Sequence, residues 1–494
     1  MLERGAENTT RFAQFARRIL LASLMATATM SIAQEVAISS TPAGAEKQRG
    51  IHFPELSNRD QFFDFVGITI DGTEVAHYVV GDNNKGYAEG FTKSGKDKLR
   101  YTIKDERVLD GFASYVNDQS VGEAVAIKSH ILPFGSQRVY PQARESWLMH
   151  ARQNAVSMRV ESDSLEELSI APVLAKPLSE YVIETIDNVV VLSPKSLVAS
   201  SSLKPHHIAI SSAAPFRIRS PKNAQATEMV DAPRVISTKP QKQFTIHLVF
   251  GEVKTDAIQC AKSLASVDSW EQERERVFQR LTKSLLWTSD ARFNNALLWA
   301  EASAYSFVVD EFGRGIWAGL PWFRDNWGRD TFIVLPGTLL TTGLFDDAKA
   351  VLNNFAQHQQ LNNKQDSNYG RIPNRVSANA PIIYNTVDGT PWMIREALEY
   401  IRYSGDLDYA KKILPVIDHY IDGVRTHWLD KNGLLTHDDA DTWMDARIDN
   451  HLPWSARGNR AVEIQALWFN ALYVASELHK RFGDQEKAKQ YRAL

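Results

Sequence analysis

The sequence predicts a multidomain β-plus-α protein, with an N-terminal β-sandwich followed by a helical domain. Three observations predict it. Residues 53–250 hold short runs rich in β-branched and aromatic side chains, separated by turn signals. From Asp268 onward a helical period dominates. The 494 residues also exceed what one hydrophobic core ordinarily supports.

The first residues stand apart from both regions. Arg11, Arg17 and Arg18 precede the uncharged run Ile19-Leu20-Leu21-Ala22-Ser23-Leu24-Met25-Ala26-Thr27-Ala28, and Ser31-Ile32-Ala33 offers small residues for a cleavage site. That is the layout of a secretory signal over residues 1–33, and the expected location is periplasmic or secreted. The apolar run is too short to span a bilayer, so no stable membrane association is expected after cleavage. Cys260 is the single cysteine and cannot form an internal disulfide. A formal net charge of −3 gives no pull toward nucleic acid.

The sandwich is expected over 34–267. Its clearest strands are 75–80, 181–186 and 244–250, and Asp71-Gly72 and Gly81-Asp82-Asn83-Asn84 read as turns. The basic, Pro-rich stretch 217–242 reads as a surface loop. The acids of this half are scattered and form no catalytic constellation. The helical domain is expected over 268–494. A charged helix at 271–286 is followed by helices near 290–309, 329–342, 345–360, 390–403, 407–428 and 460–482, with another from Asp484. Gly343, Gly405-Asp406 and Gly483-Asp484 supply the breaks. The helix at 460–482 carries Val462, Ile464, Leu467, Phe469, Leu472, Val474 and Leu478 nearly all round, which predicts a buried helix.

Four segments between these helices place carboxylates beside aromatic rings. They are Gly319-Leu320-Pro321-Trp322-Phe323-Arg324-Asp325-Asn326-Trp327-Gly328-Arg329-Asp330, Tyr384-Asn385-Thr386-Val387-Asp388-Gly389-Thr390-Pro391-Trp392, Asp438-Asp439-Ala440-Asp441-Thr442-Trp443-Met444-Asp445, and Arg457-Gly458-Asn459-Arg460-Ala461-Val462-Glu463-Ile464-Gln465-Ala466-Leu467-Trp468. Sugar recognition needs that combination, polar groups for the hydroxyls and flat apolar faces for the C–H side of the ring. Cleaving a glycosidic bond adds a requirement for two carboxyl groups flanking it.

From Asp290 to the C-terminus these motifs resemble the glycogen-debranching amylo-α-1,6-glucosidase family. Gly319-Leu320-Pro321-Trp322-Phe323 leads to Trp327-Gly328-Arg329-Asp330-Thr331-Phe332-Ile333, and Leu335-Pro336-Gly337, Arg371-Ile372-Pro373-Asn374, Tyr384-Asn385-Thr386-Val387-Asp388, Thr442-Trp443-Met444-Asp445-Ala446 and Val462-Glu463-Ile464-Gln465-Ala466-Leu467-Trp468 follow in the family's order. The resemblance implies an (α/α)6 toroid, an α-glucan substrate and inversion at the anomeric carbon. It implies no cofactor. Asp445 becomes the general acid, which requires it to be partly desolvated or near another carboxylate, with Trp443 placed to exclude water. Arg329 and Asp330 resemble a pair that grips glucose hydroxyls, although the same residues would form a salt bridge at a helix start. Asp388 and Trp392 are glucose-contact candidates, with a helix-cap role open for Asp388. Trp322, Trp327 and Trp443 are candidate stacking residues or core. Glu463 is expected to touch substrate or to offset the N–H groups of its helix start.

The family's base lies on a glutamate that this resemblance places past Leu494, and only about half of twelve helices are written. The toroid is therefore expected to be incomplete at the C-terminus. The family's Pro-Arg-x-Gly-Lys run is replaced by Ala456-Arg457-Gly458-Asn459-Arg460, which leaves linkage specificity open. Other toroidal glycosidases, of trehalase or mannosylglycerate-hydrolase type, and a non-catalytic glucan-binding protein are the alternatives. Asp439-x-Asp441 lacks the Gly and Glu of a calcium loop, and no histidine pair has zinc spacing, so no metal site is expected. The 494-residue chain by itself is expected to be inactive and poorly soluble; steady glucosidase turnover by it would overturn that expectation.

Overall fold

A computed structural model describes residues 59–92, 99–123, 125–195, 206–219, 233–377, 380–449 and 452–494. The predicted signal at 1–33 lies outside them. Two antiparallel sheets build the N-terminal region. The larger has nine strands in the order Ile68–Asp71, Lys128–Leu132, Gly135–Val139, Ala143–His150, Ala155–Glu166, Gln241–Gly251, His207–Ser211, Val189–Pro194 and Tyr181–Ile186. The other orders Phe216–Arg219, Arg234–Ser237, Leu168–Leu174, Glu106–Val116, Arg100–Ile103, Gly86–Phe91 and His77–Gly81, with Gln119–Ser120 beside Glu106–Val116.

The period-two alternation of one strand shows how the sheets meet. Val156, Met158 and Val160 point into a core shared with Tyr101, Leu109 and Phe112 of the second sheet. Ala155 faces the other way, where it joins Val191, Ala209 and Val249 against Ala257, Ala261 and Leu264 of the helix Lys254–Ser266. Both faces of the larger sheet are therefore covered, so its central strands read as near-continuous apolar runs. Wholly buried phenylalanines such as Phe112 and Phe244 each contribute about 2–3 kcal/mol of transfer free energy.

The stretch 217–242, expected as a loop, is corrected in part. Phe216–Arg219 and Arg234–Ser237 pair as strands, and Gln241 opens the long strand Gln241–Gly251. The two short strands tie basic residues to one edge through Arg219 and Arg234, both ion-paired with Asp118. Residues 220–232 lie outside the described ones.

The C-terminal helices are Ser269–Thr282, Ala291–Tyr305, Gly328–Leu335, Phe345–Ala356, Gly389–Ser404, Leu407–His427, Val462–Arg481 and Gln485–Ala493. Local chemistry sets their limits. Asp268, Asp290, Asp406 and Asp484 each accept N–H groups of the turn they precede. Gly405, at φ +72°, closes Gly389–Ser404 in the left-handed conformation that glycine adopts without strain. The helix expected at 329–342 stops being α-helical at Leu335. Pro336 has no N–H to continue the ladder, and Pro336–Leu340 is wound as a wider π turn. The helix Val462–Arg481 is not buried all round, as its composition predicted. Ile464, Leu467, Ala471 and Leu478 enter the core, but Val462 is 79% and Phe469 70% exposed. Among the described residues no helix is long and apolar enough to cross a membrane.

The sandwich is joined to the helices by the hairpin after His77–Gly81. Asn83 Nδ2 donates to the carbonyls of Tyr305 and Val308 at 2.8 and 2.9 Å. Gly81 approaches so closely that a Cβ there would lie 2.1 Å from the Ser306 carbonyl oxygen. Beneath the hairpin Asp82 is wholly buried and accepts from Asn84 N, Gly86 N and Tyr101 Oη at 2.7–2.9 Å. Burial nonetheless pushes its carboxyl up to about 6.

This predicts a pH signature. A carboxyl raised on folding stabilises the fold fully below the unfolded-state value, and that contribution is lost as pH rises through the folded value. In Asp82→Asn the amide oxygen can still accept from Asn84 N and Gly86 N, its nitrogen donates to Tyr101 Oη in place of the bond it received, and the side chain does not ionise. The urea stability of the variant relative to wild type is expected to rise between about pH 4 and 6, by on the order of 2 kcal/mol, and then level off. A difference independent of pH would refute it.

Candidate active site

Trp327 and Arg375 pair across a two-residue ladder that also joins Asn326 to Val376. Gly328 N donates to Asn374 O at 2.7 Å. This clamp fixes the start of Gly328–Leu335 and so aims Arg329, whose side chain is 13% exposed. Its Nε and Nη2 donate to the two carboxylate oxygens of Asp388 at 2.6 and 3.2 Å. Its Nη1 donates to Asp445 Oδ2 at 2.7 Å. One guanidinium thus ties together three segments that are distant in sequence.

Asp388 occupies the residue before Gly389–Ser404, yet its carboxylate caps no N–H there and turns to Arg329 instead. The positive end of that helix still favours an anion at this place. Burial pushes Asp388 upward and Asp445 adds to it, against the pull of Arg329. Burial disfavours the charge on Arg329, but Asp388 and Asp445 outweigh that and hold it above its ordinary range. Asp330 makes no ion pair with Arg329: its residue is exposed, and partial desolvation of its carboxyl, with Asp445 and Asp388 nearby, raises it against the pull of Arg329. Two carboxylates thus share one guanidinium, with a third acid, Asp330, on the residue that follows it.

Asp445 departs from the sequence expectation of desolvation, because its side chain is 48% exposed. Nearness to other carboxylates is present. Trp443 does not shield it from water, being itself 57% exposed. The loop bends back after Asp445 through the ladder of Arg447–Ile448 with Leu452–Pro453, and local backbone pairing leaves both indoles of this loop, Trp443 and Trp454, outside the core. Trp322 is 83% exposed at the tip of a hairpin closed by Gly319 and Phe323, whose N–H groups exchange bonds of 2.9 Å. Arg324 anchors that hairpin to the sandwich by donating to Lys104 O and the Asp105 carboxylate. Trp327 is half-buried under the Arg375 guanidinium. Trp392 packs on the helical core with Arg395 over it. Glu463 is set apart from Arg329. Its Oε2 accepts from Arg457 Nη2 at 2.6 Å, and its buried Oε1 has no partner.

Sequence reasoning missed Trp454, 69% exposed, whose N–H donates to the carbonyl of Ala446 right after Asp445. Its signal was an indole in a loop already rich in them. It also missed two carboxyls that burial pushes to about 7, Glu311 and Glu396. Burial of an acid within a helical or loop pattern leaves no mark in the sequence. Among the described residues no group of three or more His, Cys, Asp or Glu could hold a metal.

Residues 300–494 match the sequence model of the family described as amylo-alpha-1,6-glucosidase. All nine candidate residues lie in this matching stretch. A 155-residue stretch is 32% identical to the glycogen debranching enzyme of Saccharomyces cerevisiae, covering 29% of this chain and 9% of that enzyme. Among solved structures, a bacterial glucoamylase complexed with acarbose is similar at TM-score 0.45 and 13% identity, over 86% of this chain and 66% of that one. An inverting mannosidase from Bacteroides thetaiotaomicron is similar at TM-score 0.42 and 10% identity, over 87% and 61%.

The bidentate contact between Arg329 and Asp388 has an energetic consequence. Arg329→Met leaves the Asp388 carboxylate buried without its counter-charge, a loss of about 3–5 kcal/mol. Adding Asp388→Asn is expected to recover most of it in urea denaturation, and additive effects of the two substitutions would refute the coupling.

Proposed function

We propose that the protein is an inverting glycoside hydrolase that releases α-1,6-linked branch glucose from glycogen- or maltodextrin-like glucans, with Asp445 as general acid. The observation that carries this reading is the joining of Asp388 and Asp445 through Arg329 inside the segment that matches the debranching family. The same reading takes 1–33 as an export signal, 34–267 as the sandwich and 268–494 as the first part of an (α/α)6 toroid, in a periplasmic or secreted protein.

In this mechanism the terminal glucose displaces part of the ion-pair network. Its hydroxyls take up donors of Arg329 and acceptors of Asp388 and Asp330, while Trp322 and Trp443 offer faces for the ring. Asp445 then leaves its contact with Arg329, takes up a proton from solvent at its half-exposed carboxylate and passes it to the departing glycosidic oxygen. Water attacks the anomeric carbon from the opposite side, which inverts it, and gives its proton to a second carboxylate acting as general base.

In the full-length protein, Asp445→Asn is expected to lower turnover of an α-1,6-branched dextrin by about a thousandfold or more, with binding largely kept. The anomer first released, followed by NMR, is expected to be β-glucose. Undiminished turnover removes Asp445 from the mechanism, and cleavage of trehalose or mannosylglycerate in place of the dextrin moves the activity to another glycosidase class.

A further inference from the structure

The two partners of Arg329 ride on segments that are not neighbours in sequence, 384–388 and 438–445, and something must set the spacing between them. Two contacts do so. The first is a backbone bond from Val387 N to Asp441 O at 3.0 Å. The second is Arg371, whose Nη1 lies 3.3 Å from Tyr384 O and 3.7 Å from Asp441 Oδ2, and also 3.4 Å from Asn368 Oδ1. Tyr384 is four residues before Asp388, and Asp441 is four residues before Asp445. The guanidinium grips both loops at the same remove from the two acids.

The backbone on either side of Arg371 is itself pinned, while its buried Nη2 has no hydrogen-bond partner. Ile372 N donates to Thr390 Oγ1 at 3.0 Å, at the start of the helix that follows Asp388. Gly370 N donates to Gln360 O at 2.8 Å, and Gly370 lies against the Leu407–His427 helix so tightly that a Cβ would meet His419 O at 2.3 Å. The guanidinium lies 4.8 Å from the ring centroid of Trp428, whose Nε1 donates to Ser367 O at 2.6 Å. Arg371 is 5% and Asp441 9% exposed. Burial lowers the proton affinity of Arg371 and raises that of Asp441, so each charge depends on the other in a place where water offers little help. Arg371 makes no ion pair with Asp388 or Asp445.

We propose that Arg371 is a positioning residue, a buried strut that sets the placement of the Asp445-bearing loop against Asp388. This rests on the glycosidase reading for its catalytic consequence, but the placement itself is testable without activity. Removing the strut leaves the Val387–Asp441 backbone bond and the Arg329 bridge itself to hold the segments together. The loop then samples positions in which Asp445 is out of reach of Arg329, so kcat falls while ground-state binding through Arg329, Asp388 and the indoles persists.

The test uses Arg371→Met and Arg371→Lys in the full-length protein, with amide hydrogen exchange and steady-state kinetics on a branched dextrin. In Arg371→Met, exchange across 438–445 and at Val387 is expected to accelerate about tenfold or more, while helices such as Phe345–Ala356 stay protected. kcat is expected to fall about 10- to 100-fold with KM within about threefold, and Arg371→Lys, which keeps the charge but not the fork, to recover part of it. Unchanged exchange at 438–445 overturns the proposal, as does a uniform rise in exchange or a KM that carries the whole effect. If Arg371→Met does not fold, Asp441→Asn is expected to loosen the same peptides, and rigid peptides there also overturn it. If wild-type protein does not cleave the dextrin, the functional reading fails, while the exchange results still decide the role of Arg371.

Discussion

A guanidinium drawn out of water needs anions around it, and Arg329 has two within hydrogen-bond distance. The site depends on this meeting. Asp388 could have capped the helix it precedes and Asp445 could have stayed solvated on its loop. Each gives up that simpler role because a buried positive charge is more costly to leave alone than a cap is to lose. Desolvation pushes Asp388 and Asp330 upward, and the charge of Asp445 adds to it against the pull of Arg329. The same bonds anchor two loops to one helix start.

The sandwich does more than precede the helices. Its Lys104 carbonyl and Asp105 carboxylate hold Arg324, and through it the hairpin that displays Trp322. Its buried Asp82 shapes the hairpin whose Asn83 bonds the end of Ala291–Tyr305. Arg152, also from the sandwich, bonds both Tyr305 and Asp347. These contacts are polar and directional, which sets orientation between two regions whose apolar cores are separate. An exposed indole is thus placed by a turn more than two hundred residues earlier in the chain.

Much of the architecture was legible because it rests on local chemistry. Asp290, Asp406 and Asp484 before three helices and Gly405 and Gly483 after two mark limits shared by the sequence and the structure. Strands at 181–186 and 244–250 were legible from their β-branched runs. The errors share a cause. The basic stretch at 217–242 holds strands because its partners are remote, and Phe469 faces outward because burial depends on what a helix packs against, not on its composition. The indoles at Trp327 and Trp392 look alike in sequence to Trp322 and Trp443, yet the first pair is partly buried and the second exposed.

The sequence by itself determined the change from a strand-rich to a helical region, where most helices begin, and which acidic, Trp-bearing loops were worth watching. Those are properties of residues near one another along the chain. Tertiary structure alone decided that Arg329 is shared by Asp388 and Asp445, that Asp330 stands aside, and that Glu463 turns to Arg457. The physical reason is that a charge chooses its partners by distance and burial in three dimensions. Neither is written in the spacing of residues 59 or 116 positions apart.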